Sequence, residues 1–459
     1  MNSQSKKMEL LGSTSIPKAL LAMGIPTMIG MLVNAFYNLV DAYFVGGLGE
    51  SQMGAISVVY PLGQVVVGLG LLFGNGAASY ISRLLGRGDK ENADKVASTA
   101  LYSSVSVGAV IIIISMVFLH PILKLLGATD SILPYAATYA GIYIVSCIFN
   151  VFNVTMNNIV TSEGAAKTTM CALLTGAVLN IALDPLFIYV FDLGVAGAAI
   201  ATAISQVVST CVYLTYIFRK KSVFHFRVKD CTYTKETMSE IFKIGIPTLV
   251  FQILTSVSIS LINNAAGDYG DSAIAGMGVV TRLISMGSLS VFGFIKGFQP
   301  IAGYSYGAKK FDRLREAIKT SILWSTVFCV IFGVILALFP TAIVSQFTKG
   351  DAEMIRIGAA SLRANGISIM LFGFYTVYSS LFLALGKGRE GFILGACRQG
   401  ICFIPVILLL PIVWGLNGIM YAQPIADVLS AVITVFMAIP LHKKLNEMQR
   451  KTAEISPNN

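Results

Sequence analysis

The chain has 459 residues, of which 55% are hydrophobic and only 12% charged, and its mean hydropathy is +0.75. A composition this apolar excludes an ordinary soluble domain and predicts a protein embedded in a bilayer. The net charge of +10 does not indicate nucleic-acid binding, because Lys and Arg are concentrated in short polar segments between apolar stretches.

Those apolar stretches predict twelve transmembrane helices, since a spanning helix needs about 20 apolar residues. The predicted fold class is an all-α polytopic membrane protein. The first fifteen residues are polar and no small-residue cleavage site follows them, so the first span is expected to remain as an anchor. The expected spans cover residues 16–44, 52–81, 96–118, 131–160, 165–190, 195–218, 239–267, 272–302, 314–339, 354–385, 391–413 and 417–441.

Basic residues lie at the N-terminus, after every even-numbered span and at the C-terminus, whereas the opposite loops hold almost none. By the positive-inside rule, both termini are expected to be cytoplasmic. The basic segments are also expected to contact anionic membrane lipid.

The first span carries a charge where membrane helices rarely tolerate one. Asp41 is the only charged residue in 19–44, and Asn34, Tyr37 and Asn38 lie on its face of the helix. A charge at membrane depth costs about 2.5–3.5 kcal/mol on insertion scales, so such residues usually face a wet, functional cavity.

The fifth span repeats this pattern, since Asp184 is the only charged residue in 168–191 and Asn180 precedes it by one turn. The neighbouring spans carry polar stripes: Asn150, Asn153, Asn157 and Thr161 in the fourth, and Thr202, Ser205, Gln206 and Ser209 in the sixth. One stripe alone is typical of hydrogen bonds that hold helices together. Several stripes, two of them with a carboxylate, favour a lined cavity.

A carboxyl group shielded from water can take up and release a proton, and an ionised one with amide and hydroxyl oxygens suits a small cation. Asp41, Asp184, Asn180, Thr202 and Asn157 are therefore the candidate ion-coupling residues. Na⁺ is a candidate at the first four, and the sequence leaves H⁺ and Na⁺ both open.

The second half of the chain resembles the first at an offset of 221 residues. Gly24-Ile25-Pro26-Thr27 returns as Gly245-Ile246-Pro247-Thr248, and Gly76 and Gly86 return as Gly297 and Gly307. Six spans per half give both halves the same orientation, which predicts two lobes related by a pseudo-twofold axis along the membrane normal. The expected organisation is a tail (1–15), an N-lobe (16–218), a linker (219–238), a C-lobe (239–441) and a second tail (442–459).

Each half begins with a proline-containing span, and Pro26 and Pro247 are candidate hinges because proline removes a backbone donor and kinks a helix. Static kinks for packing are the alternative. The acids themselves are not repeated, since Asp41 aligns with Ile262 and Asp184 with Pro405. The presence of these acids in the first half alone predicts an ion-coupling N-lobe and a C-lobe that mainly shapes the cavity.

The C-lobe contributes further candidates. Its first span has an uncharged stripe with Gln252 and Ser256, which are expected to line the cavity. Lys296 either lines the cavity or extends to the cytoplasmic edge, and Asp427 lies inside the last span. The seven cysteines show no metal-binding spacing, no phosphate-binding loop is visible, and no cofactor is predicted.

These features resemble the multidrug and toxic compound extrusion (MATE) transporters over nearly the whole chain. The most specific segments are YNLVDAYFVGGLG (37–49), SEGAAK (162–167), LNIALDPLFIYV (179–190), GVAGAAIAT (194–202) and GFQPIAGYSYGAKK (297–310). Within that family the chain is similar to the DinF-like branch, which includes the MepA-type bacterial drug pumps.

The resemblance implies that Asp41 and Asp184 bind the coupling ion with Asn180 and Thr202. It also implies export of organic, often cationic amphipathic compounds in exchange for H⁺ or Na⁺, from the inner membrane of a bacterium. A branch that uses carboxylates in the seventh and tenth spans is not matched, because the seventh span holds none between Phe242 and Gly267 and the tenth none between Met354 and Arg389. The residues expected to line the substrate cavity are Asn34, Tyr37, Asn38, Tyr139, Asn153, Met156, Gln206, Gln252, Ser256 and Lys296.

The functional hypothesis is a monomeric secondary antiporter that works by alternating access of two lobes. A flippase of the same superfamily, acting on lipid-linked precursors, is the alternative; its anionic substrate would need a cavity with Lys and Arg. An intramembrane aspartyl protease also needs two aspartates, but the contexts Val40-Asp41 and Leu183-Asp184-Pro185 do not match those enzymes.

Overall fold

The computed structural model describes residues 3–348 and 351–455, and every regular element among them is helical. The ends of both predicted tails, residues 1–2 and 456–459, lie outside the described residues. The α-helices are α1 (Ser3–Gly12), α2 (Ile16–Gly46), α3 (Glu50–Gly86), α4 (Lys90–Val117), α5 (Leu119–Leu125), α6 (Leu133–Ser162), α7 (Ala166–Pro185), α8 (Gly194–Phe218), α9 (Lys235–Gly267), α10 (Asp271–Gly307), α11 (Phe311–Leu338), α12 (Pro340–Val344), α13 (Ala352–Ser368), α14 (Phe372–Ala384), α15 (Gly388–Ala396), α16 (Phe403–Trp414) and α17 (Leu416–Ile455).

Twelve segments of the described chain are long and apolar enough to cross a membrane, which confirms the predicted fold class. Two spans are composite: a 3₁₀ turn, Ile369–Leu371, joins α13 to α14, and a π turn, Cys397–Ile401, joins α15 to α16. The last helix continues beyond the predicted span to Ile455, because hydropathy marks where a bilayer ends and not where a helix ends.

The two halves repeat each other element by element. The N-lobe consists of α2 to α8 and the C-lobe of α9 to α17. Even the short helices α5 and α12 begin at positions that differ by the repeat offset, Leu119 and Pro340. This correspondence extends the sequence repeat to three dimensions and fits two lobes related by a pseudo-twofold axis.

The lobes meet through α2 against α10, α3 against α9 and α3 against α10, at glycines that occupy matching positions of the repeat. A Cβ on Gly86 would lie 2.1 Å from the carbonyl oxygen of Tyr304, and a Cβ on Gly307 would lie 2.1 Å from that of Arg83. Residues 83 and 86 correspond to 304 and 307, so the two contacts are reciprocal. Only glycine permits backbones to approach this closely.

These contacts lie in the half of the bundle that also holds the first residues of α2 and the last residues of α3 and α10. We call this half the terminal side. An ion pair reinforces it, with Arg83 Nη2 2.6 Å from Glu240 Oε2 across the lobes. In the opposite half, Tyr60 of α3 lines the space between the lobes and is more than half exposed. The lobes therefore enclose a cleft that is closed on the terminal side.

The short helix α1 spans both lobes on the terminal side. Lys7 donates to Glu163 Oε1 at 3.2 Å and to the Tyr216 hydroxyl in the N-lobe. Arg313 of the C-lobe donates to the carbonyl oxygens of Leu10 and Leu11 at the end of α1. Burial lowers the pKa of the Lys7 ammonium, and Glu163 opposes this effect.

We expect Lys7→Met to destabilise the protein by about 3–5 kcal/mol, because it leaves the fully buried Glu163 carboxylate without its cation. Thermal unfolding of the detergent-purified protein would measure the change. Lys6→Met, at an exposed neighbour on α1, is the matched control. The double variant Lys7→Met/Glu163→Gln should recover part of the loss; a single variant as stable as the parent would contradict the argument.

Candidate functional site

The two lone aspartates of the N-lobe face each other. Asp41 on α2 and Asp184 on α7 lie close enough for their carboxyl groups to interact directly. Asn180 lies one turn before Asp184 and donates from Nδ2 to its Oδ1 at 3.3 Å, and to Thr202 Oγ1 on α8 at 3.4 Å. Three helices thus bring together four of the five residues that the sequence proposed for ion coupling, all except Asn157.

This group is short of hydrogen-bond donors. Asp184 and Asn180 are almost fully buried, at 0% and 1% exposure. Within the described chain, Asp41 Oδ1, Asp184 Oδ2 and Asn180 Oδ1 are buried oxygens without a hydrogen-bond partner. Buried acceptors are normally satisfied, so three together fit a site that takes up a proton or a small cation.

Local sequence explains why these helices converge. Gly176 on α7 lets α8 approach, because a Cβ there would lie 2.2 Å from Ser209 Oγ. Pro185 ends α7 directly after Asp184, and a π turn, Leu186–Val190, follows it. Such π turns are frequent at functional sites.

Two tyrosines border the acid pair. Tyr37 lies near both carboxyl groups, and Tyr139 lies near Asp41. The Tyr139 ring stacks on that of Tyr143 with the centroids 5.5 Å apart. Asn34 and Asn38 also lie on α2, where Asn38 is exposed and donates to Asn34 Oδ1 at 3.0 Å.

The Asn157 side chain bonds to residues other than the acid pair. Its Oδ1 accepts a hydrogen bond from Lys296 of the C-lobe, and its Nδ2 donates to the Tyr213 hydroxyl at 3.3 Å. Lys296 therefore lies inside the protein between the lobes and does not extend to the membrane edge.

Three further N-lobe residues of the predicted cavity set bond to each other or pack in the core. Asn153 Nδ2 donates to Gln206 Oε1 at 2.9 Å, which ties α6 to α8. Met156 is fully buried in the N-lobe core with Ile159 and Tyr213.

A cavity of about 520 Å³ lies between the lobes, and most of its lining residues belong to the C-lobe. Gln252 and Lys296 are the two residues of the predicted cavity set that line it. Gln252 also crosses the cleft, donating to Gln64 Oε1 at 2.9 Å. Ser256, one turn further along α9, bonds to the Gln252 carbonyl oxygen at 3.4 Å.

Sequence reasoning missed the buried ion pair beside this cavity. Arg398 donates from Nε to Asp427 Oδ1 at 2.8 Å, and both residues are 5% exposed. Ser368 and Gln423 also donate to the Asp427 carboxylate, at 2.8 and 2.9 Å. The sequence did contain a signal for this pair, because Arg398 and Asp427 are opposite charges in two consecutive apolar spans.

The two candidate hinge prolines lie inside the unbroken helices α2 and α9. The threonine after each one contacts the other lobe. Thr27 donates to the Gly293 carbonyl oxygen at 2.6 Å, and Thr248 accepts from Asn75 Nδ2 at 2.8 Å. Both prolines therefore lie directly at the interface between the lobes.

Comparison with known proteins agrees with this architecture. The MatE family matches the chain twice, at residues 26–186 and 247–409. The chain is 32% identical over 429 residues to the multidrug export protein MepA of Staphylococcus aureus (strain MSSA476), covering 93% of this chain and 94% of that protein.

Solved structures show the same fold. A crystal structure of a MATE in complex with MaL6 superposes with a TM-score of 0.91 at 26% identity, covering 97% of this chain and 99% of that one. The outward-facing conformation of a multidrug resistance MATE family transporter of the MOP superfamily gives a TM-score of 0.90 at the same identity and coverage. Since the family matches both halves and the relative covers nearly the whole chain, this protein belongs to the MatE family and is a multi-pass membrane transporter, not an enzyme.

Proposed function

We propose that this protein is a secondary antiporter that exports organic amphipathic compounds in exchange for H⁺ or Na⁺. The observation that carries the proposal is the pair Asp41 and Asp184, in which one oxygen of each carboxyl group and the neighbouring Asn180 Oδ1 are buried without a hydrogen-bond partner. The similarity to a multidrug export protein supports drug-like substrates.

The acid pair and its neighbours can bind either of the two coupling ions. Asp41 and Asp184 hold the proton, or supply charged oxygens to Na⁺ together with Asn180 and Thr202. In either case the ion changes the local charge and favours one lobe arrangement, which is what coupling requires.

Alternating access supplies the export cycle. With the terminal side in the cytoplasm, as the positive-inside rule indicates, the closed glycine contacts and the Arg83–Glu240 pair correspond to an outward-open state. Separation of these contacts opens the cytoplasmic side, with Pro26 and Pro247 as the bending points in α2 and α9.

The proposed membrane location and orientation rest on the distribution of basic residues along the chain. We place the protein in the inner membrane of a bacterium with both termini cytoplasmic, and the basic segments against anionic lipid. The lobes are residues 16–218 and 239–441, joined by the linker 219–238. A monomer suffices, because one chain supplies both lobes.

Efflux of a fluorescent dye from proteoliposomes tests the proposal, with a H⁺ or a Na⁺ gradient imposed separately. We expect one gradient to drive outward dye movement and the other to have little effect, which would identify the ion. Ionophore collapse of the active gradient is the control. Dye movement that is independent of both gradients would contradict antiport.

A further inference from the structure

The central cavity carries two cations and no carboxylate among the residues that line it in the described chain. Lys296 and Arg398 are the charged lining residues, whereas Asp41, Asp184 and Asp427 lie outside the lining. Because Asp427 pairs with Arg398, the uncompensated charge at the cavity is that of Lys296, and its positive sign is opposite to what a site for organic cations requires.

Lys296 has no anionic partner anywhere in the described residues. Its contact is the neutral Asn157 amide oxygen, which accepts one hydrogen bond. An ammonium group has three donors. A buried cation without a counter-ion is costly, so the arrangement fits a site whose anion arrives with the ligand.

Arg398 is held so that part of its guanidinium stays free. Asp427 engages Nε, and the guanidinium lies 4.5 Å from the Phe372 ring centroid. Neither terminal nitrogen has a hydrogen-bond partner among the described residues. These two nitrogens form the fork with which arginine binds carboxylate or phosphate. Arg398 lies within the π turn Cys397–Ile401, and such turns are frequent at functional sites.

The rest of the cavity suits an apolar body. Phe251 and Phe292 line it with their ring centroids 5.9 Å apart, and Met277 and Met420 add flexible side chains. Its volume of about 520 Å³ lies within the range of small-molecule sites, roughly 300–1,000 Å³.

We propose that this cavity binds amphipathic molecules that carry an acidic group, with the carboxylate, sulfonate or phosphate at Lys296 and Arg398 and an aromatic body against Phe251 and Phe292. The inference rests on the proposed export function, because it names the chemical class of the exported substrate. Zwitterions meet the requirement as well as simple anions, whereas a purely cationic compound does not.

Equilibrium binding to the detergent-purified full-length protein tests this proposal with a matched pair of probes. Rhodamine 19 has a free carboxylate, and rhodamine 6G is its ethyl ester with the same xanthene body. Fluorescence anisotropy should show the free acid binding about tenfold more tightly, the size of one charge-assisted hydrogen bond. Equal binding, or tighter binding of the ester, would overturn the proposal.

Variants locate the anion site. Lys296→Met should weaken binding of the acid about tenfold and leave binding of the ester nearly unchanged, which also reports on folding. Lys18→Met, at an exposed position on α2, is the matched control. Arg398→Gln/Asp427→Asn removes both charges of the buried pair together and should also reduce the preference for the acid. A preference that survives in both variants would contradict the assignment.

Two competitors distinguish the sources of the acidic ligand. Displacement of rhodamine 19 by 2-naphthoate would indicate soluble aromatic acids, and displacement by farnesyl diphosphate would indicate a lipid phosphate. Displacement by neither would count against an anion site. Binding needs no ion gradient, so failure here leaves gradient-driven efflux as an independent measure of the proposed function.

Discussion

Asp41→Asn and Asp184→Asn should each lower gradient-driven efflux roughly 100-fold, the upper range of a typical coupling between two sites. An amide neither exchanges a proton nor supplies a negative charge to Na⁺. Because the two carboxyl groups face each other, loss of either one disables the same ion site. Equilibrium binding of rhodamine 19 should persist in both variants, since neither Asp41 nor Asp184 lines the cavity between the lobes.

The measurement is the initial rate of dye efflux from proteoliposomes under the gradient that drives the parent protein. Asp192→Asn is the matched control, because Asp192 is exposed and has a left-handed backbone that asparagine tolerates. Near-parental efflux in both site variants would show that coupling lies elsewhere, and Asp427 would then be tested.

Gly297→Ala is expected to prevent closure of the terminal side and to reduce efflux at least about tenfold. The added Cβ would lie 2.5 Å from the backbone nitrogen of Gly24, a distance that side chains do not adopt. Since the obstruction is backbone, only displacement of α2 from α10 relieves it. The variant should therefore favour the state that is open on the terminal side.

Distances between spin labels would report this shift directly. Arg87→Cys on the N-lobe and Arg389→Cys on the C-lobe are exposed positions on the terminal side, for use in a background without other cysteines. Gly297→Ala should lengthen the distance between the two labels. Gly278→Ala on the same helix is the control, because its Cβ would have no neighbour within 4 Å. An unchanged distance in the Gly297 variant would argue against glycine-dependent closure.

The reciprocal glycines also explain why the two halves retain similar sequences at these points after other positions diverged. The contact of Gly86 with Tyr304 and that of Gly307 with Arg83 are one interaction made twice. Loss of either glycine would separate the lobes on one side of the pseudo-twofold axis. Asp41 and Asp184 stand under no such constraint, and their counterparts are Ile262 and Pro405.

The sequence by itself determined the twelve spans and the internal repeat, and it singled out Asp41 and Asp184 as the candidate site. These features are readable in one dimension, because the bilayer requires about 20 apolar residues per span and penalises each charge within it. The i, i+4 spacing of Asn180 and Asp184 on one helix likewise placed both in one site.

Only the tertiary structure decided which polar residues meet across helices. It pairs Asn157 with Lys296 over 139 positions, joins Arg398 to Asp427, and places the main cavity against the C-lobe. A stripe of polar residues shows which face of a helix turns inward, but not which neighbour it meets. That choice depends on how closely helices pack, and here glycines and π turns set the approach of whole helices.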